Sequence, residues 1–443
     1  MNSTLNNYFR YTSWPIIAAM ITLMVIGITA IQVSERADVD MTGFASKQVV
    51  FSFIGLGVFV LMTLVPYQRL GRLSYALFAL TMILLVGIFA LPAIRGSHRW
   101  IPVGPIMVQP SEIAKFSMII MLAWYLRYGD NYRRLLGLIV PFVLTMLPMA
   151  LILLEPDLGT AMLFPPTLLF MLYVAGARMR HLIVILGMSV FLVFVPWLLP
   201  VDATAFQEQR ARFRTSHLGP VTFYSVDTSV SWRKRPEVPV AYCRFQWGKG
   251  PIYDLQPLSL RLMMGTDQTA ERARRVAAWL RPDDERLQRD KGYQPRQARL
   301  VLGAGGLTGR SDWNNNDAFF RVLPDDHTDF IFCVIGGQYG LVGCLGVMIL
   351  YGVIFVFGFE IAIITYDPFA RLLVVGVLAL LFSQIVINVG MTMGLTPVTG
   401  MTLPWISYGG TSLVVNCAAL GLLVNVGQHR PILLAKRPFE HED

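Results

Sequence analysis

Charge is scarce in this sequence. Only 15% of its 443 residues are Asp, Glu, Lys or Arg, against about 25% in an average soluble chain. With 54% hydrophobic residues, the scarcity excludes a disordered polymer and argues against a set of ordinary soluble domains. Cysteine is scarce too: four in the whole chain exclude a disulfide scaffold. No Cys/His spacing of the metal-site kind is present, and no repeat of fixed period. The first apolar run lacks a small-residue cleavage site, so it is expected to stay in place as a helix. What remains is a net charge of +9. The basic residues sit in short clusters between long apolar runs, which points to membrane lipid as the surrounding partner and to no nucleic acid.

The expected fold class is an all-α polytopic membrane protein. About 20 apolar residues cross a bilayer as a helix. Charge-poor runs of that kind lie near 13–33, 48–67, 73–93, 112–127, 135–154, 158–176, 182–200 and 329–358. Between Arg371 and Arg430 there is no charged residue apart from His429, and the Gly/Pro-rich stretch from Gly394 to Pro404 divides this length into two spans. The total is ten transmembrane helices. The fourth departs most from the apolar pattern, since it carries Glu112 and Lys115. Helices one to seven are expected within 1–200. One large extracytoplasmic loop follows at 201–327, then helices eight to ten and a C-terminal tail within 328–443. Cys333 and Cys344 lie about three turns apart on one expected helix, roughly 16 Å at 1.5 Å per residue, too distant to bridge.

Lys and Arg in short loops set the orientation. One side holds Arg10, Arg69, Arg72, Arg127, Arg133, Arg134, Arg178, Arg180, Arg371, Arg430, Lys436 and Arg437; the other holds Arg36, Lys47, Arg95 and Arg99. The bias places both termini in the cytoplasm and the large loop outside.

Polar groups at membrane depth are costly, and each is a functional candidate. Four groups stand out, all at the expected outer ends of helices. In Arg99-Trp100-Ile101-Pro102 followed by Gln109-Pro110-Ser111-Glu112, Pro110 and Ser111 suit the first turn of a helix, with Lys115 on the same face as Glu112. This set reads either as a self-neutralising ion pair with a Trp anchor or as an anionic headgroup site. In Glu155-Pro156-Asp157-Leu158-Gly159-Thr160, Asp157 reads as a helix N-cap or as a functional acid. In Pro324-Asp325-Asp326-His327-Thr328-Asp329-Phe330, three carboxylates and a His exceed what capping requires; Asp329, or His327, could accept a proton from a sugar hydroxyl. The last group is the Gly/Pro/Ser-rich run from Asn388 to Ser412. It reads as a kinked packing helix or as a cavity lined by hydroxyls and amides. Structural accidents should scatter over both faces. These gather at one.

Taken in order, these motifs resemble the SEDS family (shape, elongation, division and sporulation), the bacterial membrane proteins that include RodA, FtsW and SpoVE. The resemblance rests on Arg99-Trp100-Ile101, Gln109-Pro110-Ser111-Glu112 with Lys115, Pro156-Asp157-Leu158-Gly159-Thr160, His327-Thr328-Asp329-Phe330-Ile331-Phe332, and Leu403-Pro404 through Ser407-Tyr408-Gly409-Gly410. It implies a peptidoglycan glycosyltransferase of the bacterial cytoplasmic membrane, polymerising lipid II into glycan strands during elongation or division; Asn388-Val389-Gly390-Met391 leans toward elongation. Lipid II is an undecaprenyl-pyrophosphate-linked disaccharide-pentapeptide. By the same resemblance Asp329 matches the family's catalytic aspartate, Glu112 and Lys115 its buried pair, and Asp157 a further essential acid. Lys47 and Arg99 match basic positions near the lipid pyrophosphate, and Lys115 is a third cation for it. Trp100, Gln109, Ser111, His327, Thr328, Thr399, Ser407, Tyr408 and Gly409 fall on the substrate side. The expected partner is a class B penicillin-binding protein. A divalent cation, Mg2+ or Mn2+, could assist the leaving group, though no spacing demands one. A lipid II transporter and a non-catalytic scaffold for the penicillin-binding protein are the other functions the resemblance leaves open. Two departures are visible. Gly337 stands where many members carry Glu, and an extra segment near 204–268 enlarges the outer loop, as a solvated insertion or a docking surface.

Overall fold

The computed structural model describes residues 11–37, 43–91, 99–103, 106–128, 134–155, 157–184, 187, 213–218, 221–226, 243–247, 252–254, 279, 293–310 and 327–429. The chain divides into two compact units, one formed by 1–177 with 297–443 and the other by 178–296.

The first unit is a helical bundle. Its helices are α1 (Trp14–Ala37), α2 (Phe44–Leu64), the short α3 (Tyr67–Arg72), α4 (Ser74–Gly87), α5 (Pro110–Leu126), α6 (Ile139–Leu154), the short α7 (Leu158–Met162) and α8 (Phe164–Ala175). Further along the chain come α9 (Tyr293–Ala304), which begins in the last residues of the second unit, then α10 (Ile331–Ile364), α11 (Pro368–Met393) and α12 (Gly410–Gln428). A two-stranded ribbon, β1 (Ile101–Val103) with β2 (Ile106–Val108), leads into α5. Seven helical stretches among the described residues are long and apolar enough to cross a membrane, and Ser74–Ala90 is a shorter apolar one. With α5, these account for nine of the ten expected spans. The seventh, 182–200, falls almost wholly outside the described residues. Lipid tails give helices little hydrophobic reason to associate, so close backbone approach takes over. Gly27 of α1 lies against the backbone of Ile406, and Gly421 of α12 against the backbone of Phe59 in α2.

The α10 helix is not continuous. Gly340 has φ 64° and ψ −158°, a conformation essentially closed to side-chain-bearing residues. The loop after α9 fills the break. Leu341 N–H donates to Gly306 O at 2.9 Å and Val342 N–H to Leu307 O at 3.1 Å, while Arg310 N–H donates to Gly337 O at 3.1 Å. The backbone groups freed by the kink are thus paired by the loop, as a low-dielectric setting requires. A Cβ on Gly305 would run into the Gly336 carbonyl, and one on Gly309 into the Gln338 carbonyl. Gly337, where the resemblance leads one to look for Glu, lies inside this backbone crossing.

The second unit contains a four-stranded antiparallel sheet of β3 (Phe213–Leu218), β4 (Val221–Val226), β5 (Cys243–Trp247) and β6 (Ile252–Asp254), in chain order. All four strands fall within the segment 204–268 read as an insertion.

Candidate functional site

One end of the bundle brings together the start of α2, the starts of α5, α7, α10 and α12, and the end of α11. The four groups of polar residues meet there.

Asp157 is the N-cap of α7, and it is more than a cap. Its Oδ1 accepts from Thr160 N–H at 3.2 Å; its Oδ2 accepts from Thr160 Oγ1 at 2.8 Å, Gln109 Nε2 at 2.9 Å and Ser111 Oγ at 3.0 Å. The carboxylate therefore ties the first turn of α5 to α7, which accounts for Gln109, Ser111 and Thr160 in the sequence. Gln109 N–H donates to Thr411 Oγ1 at 3.3 Å, joining the same knot to the first turn of α12. Arg99 Nε donates to the backbone carbonyl of Glu155 at 3.0 Å. Trp100 is half-buried beside it in sequence.

Glu112 and Lys115 form an ion pair at 2.8 Å inside α5, with side-chain exposures of 7% and 2%. This agrees with the self-neutralising reading. Lys115 meets its own helix partner, so the basic groups with more access are Arg99, half-buried, and Lys47, exposed.

Asp329 lies in the turn that precedes α10. A Cβ on Gly400 would stand 3.5 Å from Asp329 Oδ2, so the carboxylate faces a glycine where no side chain intrudes. Asn388 of α11 donates from Nδ2 both to Asp329 O, at 3.1 Å, and to Met401 O. A Cβ on Gly159 would meet the Thr399 carbonyl and the Met401 side chain, so the start of α7 is packed against the same 399–401 stretch. Tyr408 N–H donates to His327 O at 2.9 Å, and Gln48 Nε2 to Ser407 O at 3.1 Å. Ser407 itself accepts from Leu403 N–H at 2.7 Å, closing the turn through Trp405, whose φ of 61° is the one positive value among the described non-glycine residues. Gly409 caps α12, its carbonyl accepting from Leu413 N–H. Thr328 is half-buried between His327 and Asp329. Asp325 and Asp326 lie outside the described residues.

Sequence reasoning missed the part that three residues play. Phe44, the first residue of α2, packs its ring 4.7 Å from His327 and 5.0 Å from Tyr408. Asn388 opens the Gly/Pro/Ser-rich run in the sequence, but its bonds to the Asp329 and Met401 carbonyls required the fold. The third is Glu155. Its side chain is fully buried and, among the described residues, neither carboxylate oxygen has a hydrogen-bond partner. Burial, with the charge of Asp157 adding to it and Arg99 opposing it, pushes the Glu155 carboxyl up to about 8, so it holds its proton at neutral pH. Burial likewise raises the Tyr408 phenol above its ordinary value, leaving a neutral hydroxyl.

No group of three or more His, Cys, Asp or Glu side chains among the described residues forms a metal-binding set.

The model of the FtsW/RodA/SpoVE cell cycle proteins matches residues 11–221 and 256–431. The unmatched stretch, 222–255, lies within the segment read as an insertion. A peptidoglycan glycosyltransferase RodA of Treponema pallidum (strain Nichols) is 31% identical over 392 residues, covering 86% of this chain and 88% of the relative. Peptidoglycan glycosyltransferase MrdB of Escherichia coli (strain K12) is 27% identical, covering 94% and 93%. Stage V sporulation protein E of Bacillus subtilis (strain 168) is also 27% identical, covering 95% and 98%. Among solved structures, a chain described under the structural coordination of polymerization and crosslinking by a peptidoglycan synthase complex superposes with a TM-score of 0.67 at 24% identity, covering 95% of this chain and 99% of that one. The rod shape determining protein RodA of Thermus thermophilus gives 0.59 at 23%, covering 95% and 98%. These two likenesses bear on the fold.

Proposed function

The chain belongs to the FtsW/RodA/SpoVE family, and from that premise we propose that it is a peptidoglycan glycosyltransferase that polymerises lipid II at the outer face of the bacterial cytoplasmic membrane, in cell elongation or division. The observation that carries the mechanism is the seating of Asp329. Its carboxylate faces Gly400, and its peptide is held by Asn388 where segments from across the chain converge.

In this reading the Asp329 carboxylate takes the proton of the C4 hydroxyl of one lipid-linked sugar as that oxygen attacks C1 of another. The new C–O bond forms as the C1–oxygen bond to the pyrophosphate breaks, and the electron pair leaves on undecaprenyl pyrophosphate. Attack from the side opposite the leaving group inverts C1. Lys47 and Arg99 stabilise the charge that develops on the pyrophosphate, a task for groups already oriented toward it. Asp157 is a positioning residue: its four hydrogen bonds, from Gln109, Ser111 and Thr160, tie the first turn of α5 to α7. The Glu112–Lys115 pair neutralises two buried charges on one face of α5. The surplus of Lys and Arg on the opposite side supports cytoplasmic termini and an extracytoplasmic 201–327 loop. The partner is a class B penicillin-binding protein, which crosslinks the strands by transpeptidation.

The test is direct: purified protein is incubated with lipid II, alone and with candidate transpeptidases, and products are resolved by chain length. Long glycan chains are expected; their absence under every combination would refute the activity.

A further inference from the structure

The α5 helix starts at the proposed site and ends 17 residues on, about 25 Å away, at a second concentration of charge. The polymerisation chemistry makes no use of it. There α3 lies tight against the bundle. A Cβ on Gly71 would strike the ring of Trp124, in the last turn of α5, and that of Phe369, in the first turn of α11. The Trp124 and Phe369 rings meet edge to face at 5.1 Å, and Phe369 in turn lies 6.0 Å from Tyr67. Arg127, next after α5, lays its guanidinium over the Trp124 ring and 4.5 Å from the centroid of Tyr128. Arg69 and Arg72 are three apart on α3, hence on one face, and both are exposed; Arg127 is half-buried. Among the described residues none of the three forms an ion pair. Asp367, at the same end, caps α11 by accepting from Phe369 N–H at 3.1 Å. In the sequence, the loop after Arg127 adds Arg133 and Arg134 against a single acid, Asp130.

The charge bias that orients a membrane protein asks only that arginines lie on one side; it asks nothing of their geometry. Here the geometry is built. Two rings hold Arg127, and a glycine contact holds the backbone that carries Arg69 and Arg72. Guanidinium groups held in this way lose less freedom on closing around a ligand, and their paired N–H donors match a phosphate. Beside them Leu64, Leu73 and Tyr75 are exposed where α2 ends and α4 begins, at the level of the bilayer surface. A ligand that suits both features has an anionic phosphate and an apolar body. A zwitterionic lipid would bring a cation of its own to the arginines, and an acidic peptide would leave the apolar flank unused. We propose that Arg69, Arg72 and Arg127, arranged around Trp124, bind the headgroup phosphate of an anionic phospholipid whose acyl chains run along the exposed side of α4. The proposal needs the membrane-spanning fold but not the glycosyltransferase reading.

Delipidated protein in detergent is titrated with phosphatidylglycerol or phosphatidylcholine, and bound lipid is counted by native mass spectrometry. Phosphatidylglycerol is expected to bind about tenfold or more tightly than phosphatidylcholine. The double variant Arg69→Gln/Arg72→Gln is expected to weaken phosphatidylglycerol by about fivefold for each arginine and to leave phosphatidylcholine unchanged. Arg178→Gln/Arg180→Gln removes the same charge from the exposed pair that follows α8 and is expected to bind as the parent does. Equal weakening in the two double variants would assign the effect to charge at large and overturn the proposal. Parental affinity in Arg69→Gln/Arg72→Gln also overturns it. Displacement of the lipid by millimolar inorganic phosphate would give the site to a soluble anion, and tighter binding of polyglutamate would give it to an acidic protein; either result rejects the lipid. If the glutamine pair inserts poorly, Arg69→Lys/Arg72→Lys decides, because it keeps the charge bias and loses the paired donors. About threefold weaker phosphatidylglycerol binding is expected there, and parental binding rejects the site.

Discussion

The Asn388 side chain binds the backbone carbonyl of Asp329 at 3.1 Å and, through the same nitrogen, the carbonyl of Met401. One amide on α11 thereby fixes both the peptide of the proposed base and the stretch whose Gly400 faces the base's carboxylate. Asn388 is fully buried, so water cannot substitute for it readily.

Replacing Asn388 by Asp keeps the shape and removes both N–H donors. A buried hydrogen bond lost with its partner left unsatisfied costs about 1–3 kcal/mol. If that cost falls on the placement of Asp329, kcat for lipid II polymerisation drops by about tenfold or more while KM changes little. Steady-state polymerisation kinetics check this. A parental kcat would show that Asp329 is held by other means.

The Glu155 carboxyl titrates near 8 in the folded protein because it is buried beside Asp157. A raised carboxyl pKa means the folded state binds a proton that the unfolded chain has released. Its contribution to stability is complete below the ordinary carboxylate range and is lost as pH rises through about 8. Glu155→Gln, which cannot ionise, should flatten this dependence. Melting in detergent between mildly acidic and alkaline pH is the measurement. The variant is expected to exceed the parent above pH 8, and parallel curves would contradict the account.

Glu112 and Lys115 predict a non-additive pair. Breaking a buried ion pair by removing one partner leaves an uncompensated charge and costs about 3–5 kcal/mol. Glu112→Gln and Lys115→Met should each lower the melting temperature strongly, and the double variant should lower it by less than their sum. Additivity would mean that each residue is held by something other than the 2.8 Å contact.

The Gly340 break makes a backbone prediction. Ala at that position would be strained at φ 64° and would press on the loop from Leu307 to Gly309. Gly340→Ala should therefore lower stability and reduce polymerisation, because the half-helix that follows Asp329 ends at this break. Gly346→Ala, where a Cβ meets nothing, is the control in the same helix.

Much of this architecture was legible in the sequence for a simple reason: a bilayer demands long apolar runs, and Arg371 to Arg430 can be divided only at its Gly/Pro-rich stretch. The gathering of Asp157, Glu112, Asp329 and Tyr408 at one end was readable because charged and broken segments are costly in lipid. The break at Gly340 was not readable. Gly336-Gly337-Gln338-Tyr339-Gly340 scans as helix, and only the loop donated from residues 305–310 shows that its hydrogen bonds go elsewhere. Phe44 escaped notice for a related reason: an aromatic at the start of an apolar helix looks like packing until its neighbours, far away in the chain, are placed beside it. Gln109 and Ser111 could be placed near a helix start, but their shared acceptor, Asp157, required the fold.

The central claim is that the Asp329 carboxylate removes the proton from the attacking hydroxyl. Purified Asp329→Ala, given lipid II, is expected to bind the substrate with an affinity close to that of the parent and to form no glycan polymer. Polymer of parental yield and length from that protein would contradict the account.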